Sequence, residues 1–414
     1  MTPYPTLLLP AALVEPQWAN ATRLAGLTAL PGWTALARRA SVIAEAGPDG
    51  PPPSEPGHER WLRARFGLAP ERSVAAWAAI ADGRMHAHWR LDPVHLLVGR
   101  DHLVLTDPVS LFLAADDARG LADAIAPLFA DEGLALDAGI ASRWYLRELD
   151  PERPLRLRTR SMLGALGRNI DAWMPVGDDA RRWRRLVNEV QMTWYAHPVN
   201  AHREHRGLPA VNSLWIEGRG PGSPSGPSAG QEDGTAATTG PSAAGAAALA
   251  RIAAHRTAPP AVGTFGTGTT LDVGDTGPMG DRSGTEADRT DRGRTLADAG
   301  PTADLDRTAH ERPLVVDDGA GRLILEDRLL EAHVAGDPQR WADTWRHLDA
   351  TLFAPLARAE GPWRDGAGVI LAGDAGWRAL RVGRRADWRF WRRSPGAALL
   401  AEPRPAHDGR SGPR

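Results

Sequence analysis

The chain has 414 residues, 42% hydrophobic and 24% charged, with a formal net charge of −2. That is the balance of a globular protein of one large or two ordinary domains, with no global field to gather nucleic acid or a membrane surface. It has no cysteine, which excludes disulfides, thiolate zinc sites, iron–sulfur clusters and a cysteine nucleophile, and all 49 basic residues are arginine, which excludes a P-loop lysine and a Schiff-base lysine.

In chain order, Thr6 to Leu9 forms the first element, a short buried strand ending at Pro10. Glu59 to Gly67 and Ser73 to Asp82 have helical spacing. Three β runs follow, His86 to Leu91, His95 to Val98 and Leu103 to Leu105, separated by Asp92-Pro93, read as a turn, and Gly99-Arg100-Asp101. Asp116 to Ala130 is expected as a helix and Trp144 to Leu149 as a strand. Asp178-Asp179 opens a helix in which Trp183, Leu186, Val187, Val190 and Trp194 make one apolar stripe, with Arg181, Arg182, Arg184 and Arg185 on a solvated face.

Composition then draws the domain map. All 16 Trp fall within 1–215 or 341–391. Between them, 219–312 is rich in Gly, Ser, Thr, Ala, Pro and Asp and is expected to be a mostly disordered insertion, with one helical island at Ala244 to His255. The expected parts are therefore an α/β part over 1–218, the insertion, a βαβ part over 313–397 completing the same sheet, and a disordered tail over 398–414. In the βαβ part, Leu314 to Val316 and Leu323 to Leu325 are β-like, and Asp337-Pro338 caps a helix lined by Trp341, Trp345, Leu348, Leu352 and Leu356. Gly368 to Gly373 is a buried parallel strand, so a ligand site is expected at Gly373-Asp374, its carboxyl end. No segment reaches the roughly 18 to 20 apolar residues of a membrane helix, and the first 20 residues lack the basic residue of a secretory signal. The protein is expected to be cytoplasmic.

The densest chemistry lies in His197-Pro198-Val199-Asn200-Ala201-His202-Arg203-Glu204-His205-Arg206-Gly207 and on to Asn212. Arg203 and Arg206 stand three apart, and guanidinium forks match phosphate oxygens. An anion-binding loop of His197, Asn200, Arg203, Arg206 and Asn212, facing Asp374, is one reading. A capped connector, with Asn200 capping a short helix that Gly207 ends, is the other. His86 and His88, with Asp92 and His95 near in sequence, allow a weak zinc constellation but are expected to be structural. Trp377 to Arg393 interleaves seven arginines with four aromatics, which suits single-stranded nucleic acid or a half-buried final edge strand with Trp388 and Phe390 inward.

The His197-Pro198-Val199-Asn200 block through Asn212-Ser213-Leu214-Trp215 resembles a block of archaeal-type cofactor-independent phosphoglycerate mutases, of the alkaline phosphatase superfamily. The arrangement of the whole chain, with Trp89 to Leu96 and Asn188 to Met192, resembles more nearly the RpfE-type regulatory proteins. Leu30 to Arg38, Glu331 to Asp337 and Val369 to Asp374 are similar to further superfamily blocks. The resemblance implies an α/β fold with a mixed sheet flanked by helices and interrupted by the insertion. It also implies two divalent metals held by carboxylates and histidines, and here the sequence departs: Leu9-Pro10 stands where the first Asp-Gly belongs, and Asp374-Ala375 where Asp-His belongs. His333 and Asp374, with Asp92 and His95 as outside candidates, would be the remains of a dismantled site. The expectation is a non-catalytic regulatory protein that binds a phosphorylated or anionic small molecule or a protein partner, with no cofactor and no metal site. An active metal-dependent phosphomutase or phosphatase using Mn or Zn is the alternative, and an Arg/Trp-rich nucleic-acid binder a second.

Overall fold

Leu7, Leu8 and Leu9 are all fully buried, as a strand covered on both faces allows. The computed structural model describes residues 4–13, 26, 30–48, 50, 53–222, 241–255, 313–383 and 396–403, all of them within one unit made of Met1–Ala258 and Pro313–Arg414.

Strand β1 (Thr6–Leu9) is central to a six-stranded mixed sheet with β2 (Ala40–Ala46), β9 (Leu314–Asp317), β10 (Arg322–Leu325), β11 (Ala367–Ala372) and β12 (Trp377–Val382). The order is β2-β12-β11-β1-β10-β9, and β1 runs parallel to both β10 and β11. The parallel geometry expected of the segment after the insertion is therefore present, with β1 inserted between its two strands. Side chains alternate between two cores. Leu7, Leu9, Val369 and Leu371 pack with Trp33 of helix α1 (Pro31–Arg39) and with Trp341 and Trp345 of a later helix. Leu8, Leu323, Leu325 and Ile370 pack on the opposite face with Trp61 of α2 (Gly57–Arg65).

A second, antiparallel sheet was not anticipated. It is formed by β3 (Trp89–Val94), β6 (Leu134–Ile140), β7 (Arg143–Glu148) and β8 (Ser213–Arg219), in the order β6-β7-β3-β8. A hairpin of β4 (Leu96–Val98) and β5 (Leu103–Leu105) stands beside it. One face buries Trp89, Leu91, Trp144 and Leu146 against α3 (Ala115–Asp131) and α4 (Ala180–Tyr195). The α4 stripe from Trp183 to Trp194 is buried throughout, and Arg182 and Arg185 pair with Glu132 on its outer side.

Several expectations are corrected by this architecture. Asp92-Pro93 is not a turn but lies inside β3. The β7 partner covers only Trp89 to Leu91, so Pro93 sits where that side of the strand carries no ladder and its missing N–H leaves no gap. His86 and His88 precede β3 rather than sharing a strand face. Trp377–Val382 is interior, paired on both sides, because β2 takes the edge; Trp388 and Phe390 lie outside the described residues. So does most of the insertion, but the island in it is a helix, α6 (Ala243–His255), whose Leu249 and Ile252 are buried beside Leu8 and Trp61. Of the tail expected over 398–414, residues 398–403 are described and 404–414 lie outside the described residues. Leu399 and Leu400 are buried, and the Arg378 guanidinium takes the carbonyls of Ala398, Leu399 and Ala401.

Candidate functional site

Because β1, β10 and β11 are parallel, their carboxyl ends meet on one side of the sheet, where an open α/β sheet holds its ligands. Asp374 emerges there from β11. Helix α7 (Arg328–Val334) follows β10 and brings His333, whose Nε2 lies 2.7 Å from an Asp374 carboxylate oxygen. Two residues 41 positions apart in sequence, both expected in a residual site, are thus brought together. Arg168, which sequence reasoning missed, forms an ion pair with the other carboxylate oxygen. No spacing rule singles it out, since it arrives on the connection between β7 and α4.

The cavity that these residues line, with His58, Trp173 and Leu330, holds about 20 Å³, room for one water. Glu402 closes over the same turn. Its carboxylate lies where a side chain on Gly373 would stand, since a Cβ there would come within 1.7 Å of Oε1. Burial, joined by the Asp374 charge, pushes the Glu402 carboxyl up to about 7.

A two-metal centre does not fit these donors. Leu9 and Pro10 end β1 without a carboxylate, and the Asp374 carboxylate is already held by a guanidinium and an imidazole. Among the described residues, no group of three or more His, Asp or Glu is gathered as a metal ion requires. Asp337 accepts from the Arg340 N–H at 2.9 Å as the N-cap of α8 (Pro338–Leu348), as its place before Pro338 implies.

The His197–Asn212 block is built as a connector and does not line the Asp374 cavity. His197, not Asn200, caps α5 (Pro198–His205), its ring nitrogen accepting from the Val199 N–H at 3.3 Å. Asn200 is buried and ties three strands of connection together: its amide donates to Trp194 O and Val211 O, and its carbonyl accepts from Val211 N–H. Asn212 does the same for Leu96, accepting from its N–H at 2.7 Å and donating to its carbonyl at 2.9 Å. Arg203 is fully buried, donates to the carbonyls of Pro209 and Leu111, and has Asp117 at 3.6 Å. An arginine so engaged offers no fork to a ligand. Arg206 is exposed, and Gly207 ends the helix at φ +70, as the connector reading requires.

Asp92 and His95 also belong elsewhere. His95 Nδ1 lies 2.8 Å from Ala210 O. Asp92 is fully buried on the second face of the antiparallel sheet, accepting from Arg90 Nε through both oxygens at 3.1 and 2.8 Å. Glu217 of the neighbouring β8 faces the same Arg90, and burial, with the Asp92 charge adding to it against the pull of Arg90, pushes its carboxyl up to about 7. The opposite charges at positions 90 and 92 share one face of a strand by its period of two, a signal that reads directly from the sequence.

No protein-family model matches this chain, and no curated protein matches it, so the RpfE-type resemblance has no family model behind it. Among solved structures, the PH0037 protein from Pyrococcus horikoshii is similar at 13% identity with a TM-score of 0.42, over 92% of this chain and 88% of that one. A cofactor-independent phosphoglycerate mutase from Thermoplasma acidophilum is similar at 16% identity with a TM-score of 0.27, over 53% of this chain and 59% of that one. These are loose likenesses, and they transfer no activity.

Proposed function

We propose that this chain is a non-catalytic, phosphoglycerate-mutase-like protein that binds a phosphorylated or anionic small molecule and acts in regulation. The observation that carries this reading is the state of Asp374. At the end of the parallel strand, where metal-dependent chemistry would need an open carboxylate, the carboxylate is held from within by the Arg168 guanidinium and the His333 ring. A cation supplied by the chain itself does the electrostatic work that a bound ion would otherwise do, and leaves no open coordination position for a substrate oxygen. The protein therefore keeps a strand-end architecture without the means to activate a nucleophile there.

The test is elemental analysis of purified protein together with hydrolysis of p-nitrophenyl phosphate in excess Mn. The expected result is metal far below one ion per chain and no hydrolysis above buffer. About two Mn or Zn per chain, with phosphatase activity abolished by Asp374→Asn, would overturn the proposal in favour of an active metal-dependent phosphomutase or phosphatase.

A further inference from the structure

The strand-end cavity is too small for a metabolite, so a ligand-binding reading needs another place. A groove of about 680 Å³ lies between the 83–87 turn and the exposed side of β6 and β7. Roughly 300 to 1,000 Å³ is the range of small-molecule sites. Its floor follows from strand register: Ala135 pairs with Arg147 and Asp137 with Tyr145, so these four side chains share a face. Its roof is Arg84, Met85 and His86. That turn is held in place because Gly220 N–H donates to His88 O and Gly222 N–H to Ala87 O. Gly222 cannot be replaced without moving it, since a Cβ would come within 2.6 Å of the His86 carbonyl carbon.

The charges in the groove do not balance. Asp137 is used by Arg84, 2.6 Å away, and by the Gly139 N–H at 3.0 Å. Arg147 and His86 have no side-chain partner among the described residues. Met85 and Ala135 give the same groove apolar surface. Unpaired guanidinium and imidazole beside apolar walls match an anion carried on an apolar body.

We infer that this groove binds a phosphate monoester with an apolar or aromatic body, with Arg147 and His86 on the phosphate and Met85 and Ala135 against the body. It rests on the proposed ligand-binding role and gives that role a location away from the strand ends. Titration calorimetry of the full chain with phenyl phosphate, inorganic phosphate and benzyl alcohol tests it. Phenyl phosphate should bind more tightly than either of the other two. Arg147→Ala should weaken it about ten- to hundredfold, the loss of one charge-assisted fork, and Arg147→Lys should recover part of that. Arg147 is exposed, so the variant's melting temperature should match the parent's. Arg168→Ala should leave the affinity unchanged. Absence of binding by the parent protein at millimolar phenyl phosphate, equal binding by Arg147→Ala, or equal binding of benzyl alcohol would each overturn the groove. Loss of binding in Arg168→Ala alone would overturn it too, while sparing the ligand-binding role. Metal-dependent phosphatase activity would end that role without touching the Arg147 result.

Discussion

Two of the clusters that join an arginine to carboxylates among the described residues, Arg168 with Asp374 and Arg90 with Asp92, differ in what surrounds them. At the ends of the parallel strands, Arg168 reaches Asp374 from a connection, its side chain 38% exposed. On the second face of the antiparallel sheet, Arg90 and Asp92 are 2% and 1% exposed and Glu217 is buried beside them. The first pair can exchange its partner for water. The second cannot, so removing either member strands a charge in the interior. A buried ion pair is thus weak evidence of net stabilisation and strong evidence of mutual dependence. The strand-end pair meets solvent, whereas the Arg90 pair holds up a wall.

The largest expected effect tests that dependence. Arg90→Met leaves Asp92 and Glu217 without their cation, and should destabilise the protein by about 3 to 5 kcal/mol in urea titration. A loss under 1 kcal/mol would mean that water reaches the cluster and that the contrast is false.

The next effect is a pH dependence with a definite sign. Glu217 titrates from an ordinary value of 4.5 when unfolded to about 7 when folded. The folded state therefore holds the extra proton between those values, so its contribution to stability is full below about pH 4.5 and is lost as pH rises through about 7. Glu402 adds in the same direction. Glu217→Gln should accordingly raise stability at pH 8 by at least about 1 kcal/mol relative to the parent, and leave little difference at pH 4.5. Denaturation midpoints at the two pH values decide it; a variant that is more stable only at the acid end would reverse the sign.

At the strand ends the expected change is smaller. Arg168→Ala should lower stability by less than about 1 kcal/mol, because solvent screens the side chain and replaces it. A loss as large as that for Arg90→Met would make the two clusters equivalent. Smallest of all, replacing 256–312 with a short Gly/Ser linker should shift the melting midpoint little, since closure entropy depends weakly on loop length. The replacement must spare α6, because Leu249 and Ile252 are part of the core. Unfolding of this variant would show that the removed residues contribute a folded domain.

Much of the layout was legible because local periodicity and tertiary burial agree there. The Leu7–Leu9 run, the α4 stripe and the Asp337-Pro338 cap each carry their own reason for their conformation, as does the apolar strand ending at Asp374. His333 was expected beside Asp374 only through the superfamily resemblance, because it sits on a helix and no spacing rule ties it to the end of β11. By contrast the sequence offers no means of seeing that β3, β6, β7 and β8 leave the central sheet to form their own. A polar alternation such as Arg90 and Asp92 looks like a solvated strand face, and only the segment packed over it makes the face interior. Arg203 misled for the same reason: a guanidinium near Asn and His suits an anion equally well whether it faces solvent or, as here, two backbone carbonyls and a carboxylate.

What the sequence determined by itself is the set of covalent possibilities and the local elements. With no cysteine and no lysine, the charge chemistry of the chain rests on arginine, histidine and carboxylates. Its strongest apolar periods, such as Leu7–Leu9 and the α4 stripe, commit those segments to strand or helix before any long-range contact forms. Tertiary structure decided which charges are spent and which are available. Arg203 and Arg168 are used internally, while Arg147 stands open over a groove. An arginine has the same chemistry at each of these positions, and its role is set by whether folding brings a carbonyl, a carboxylate or water to its fork.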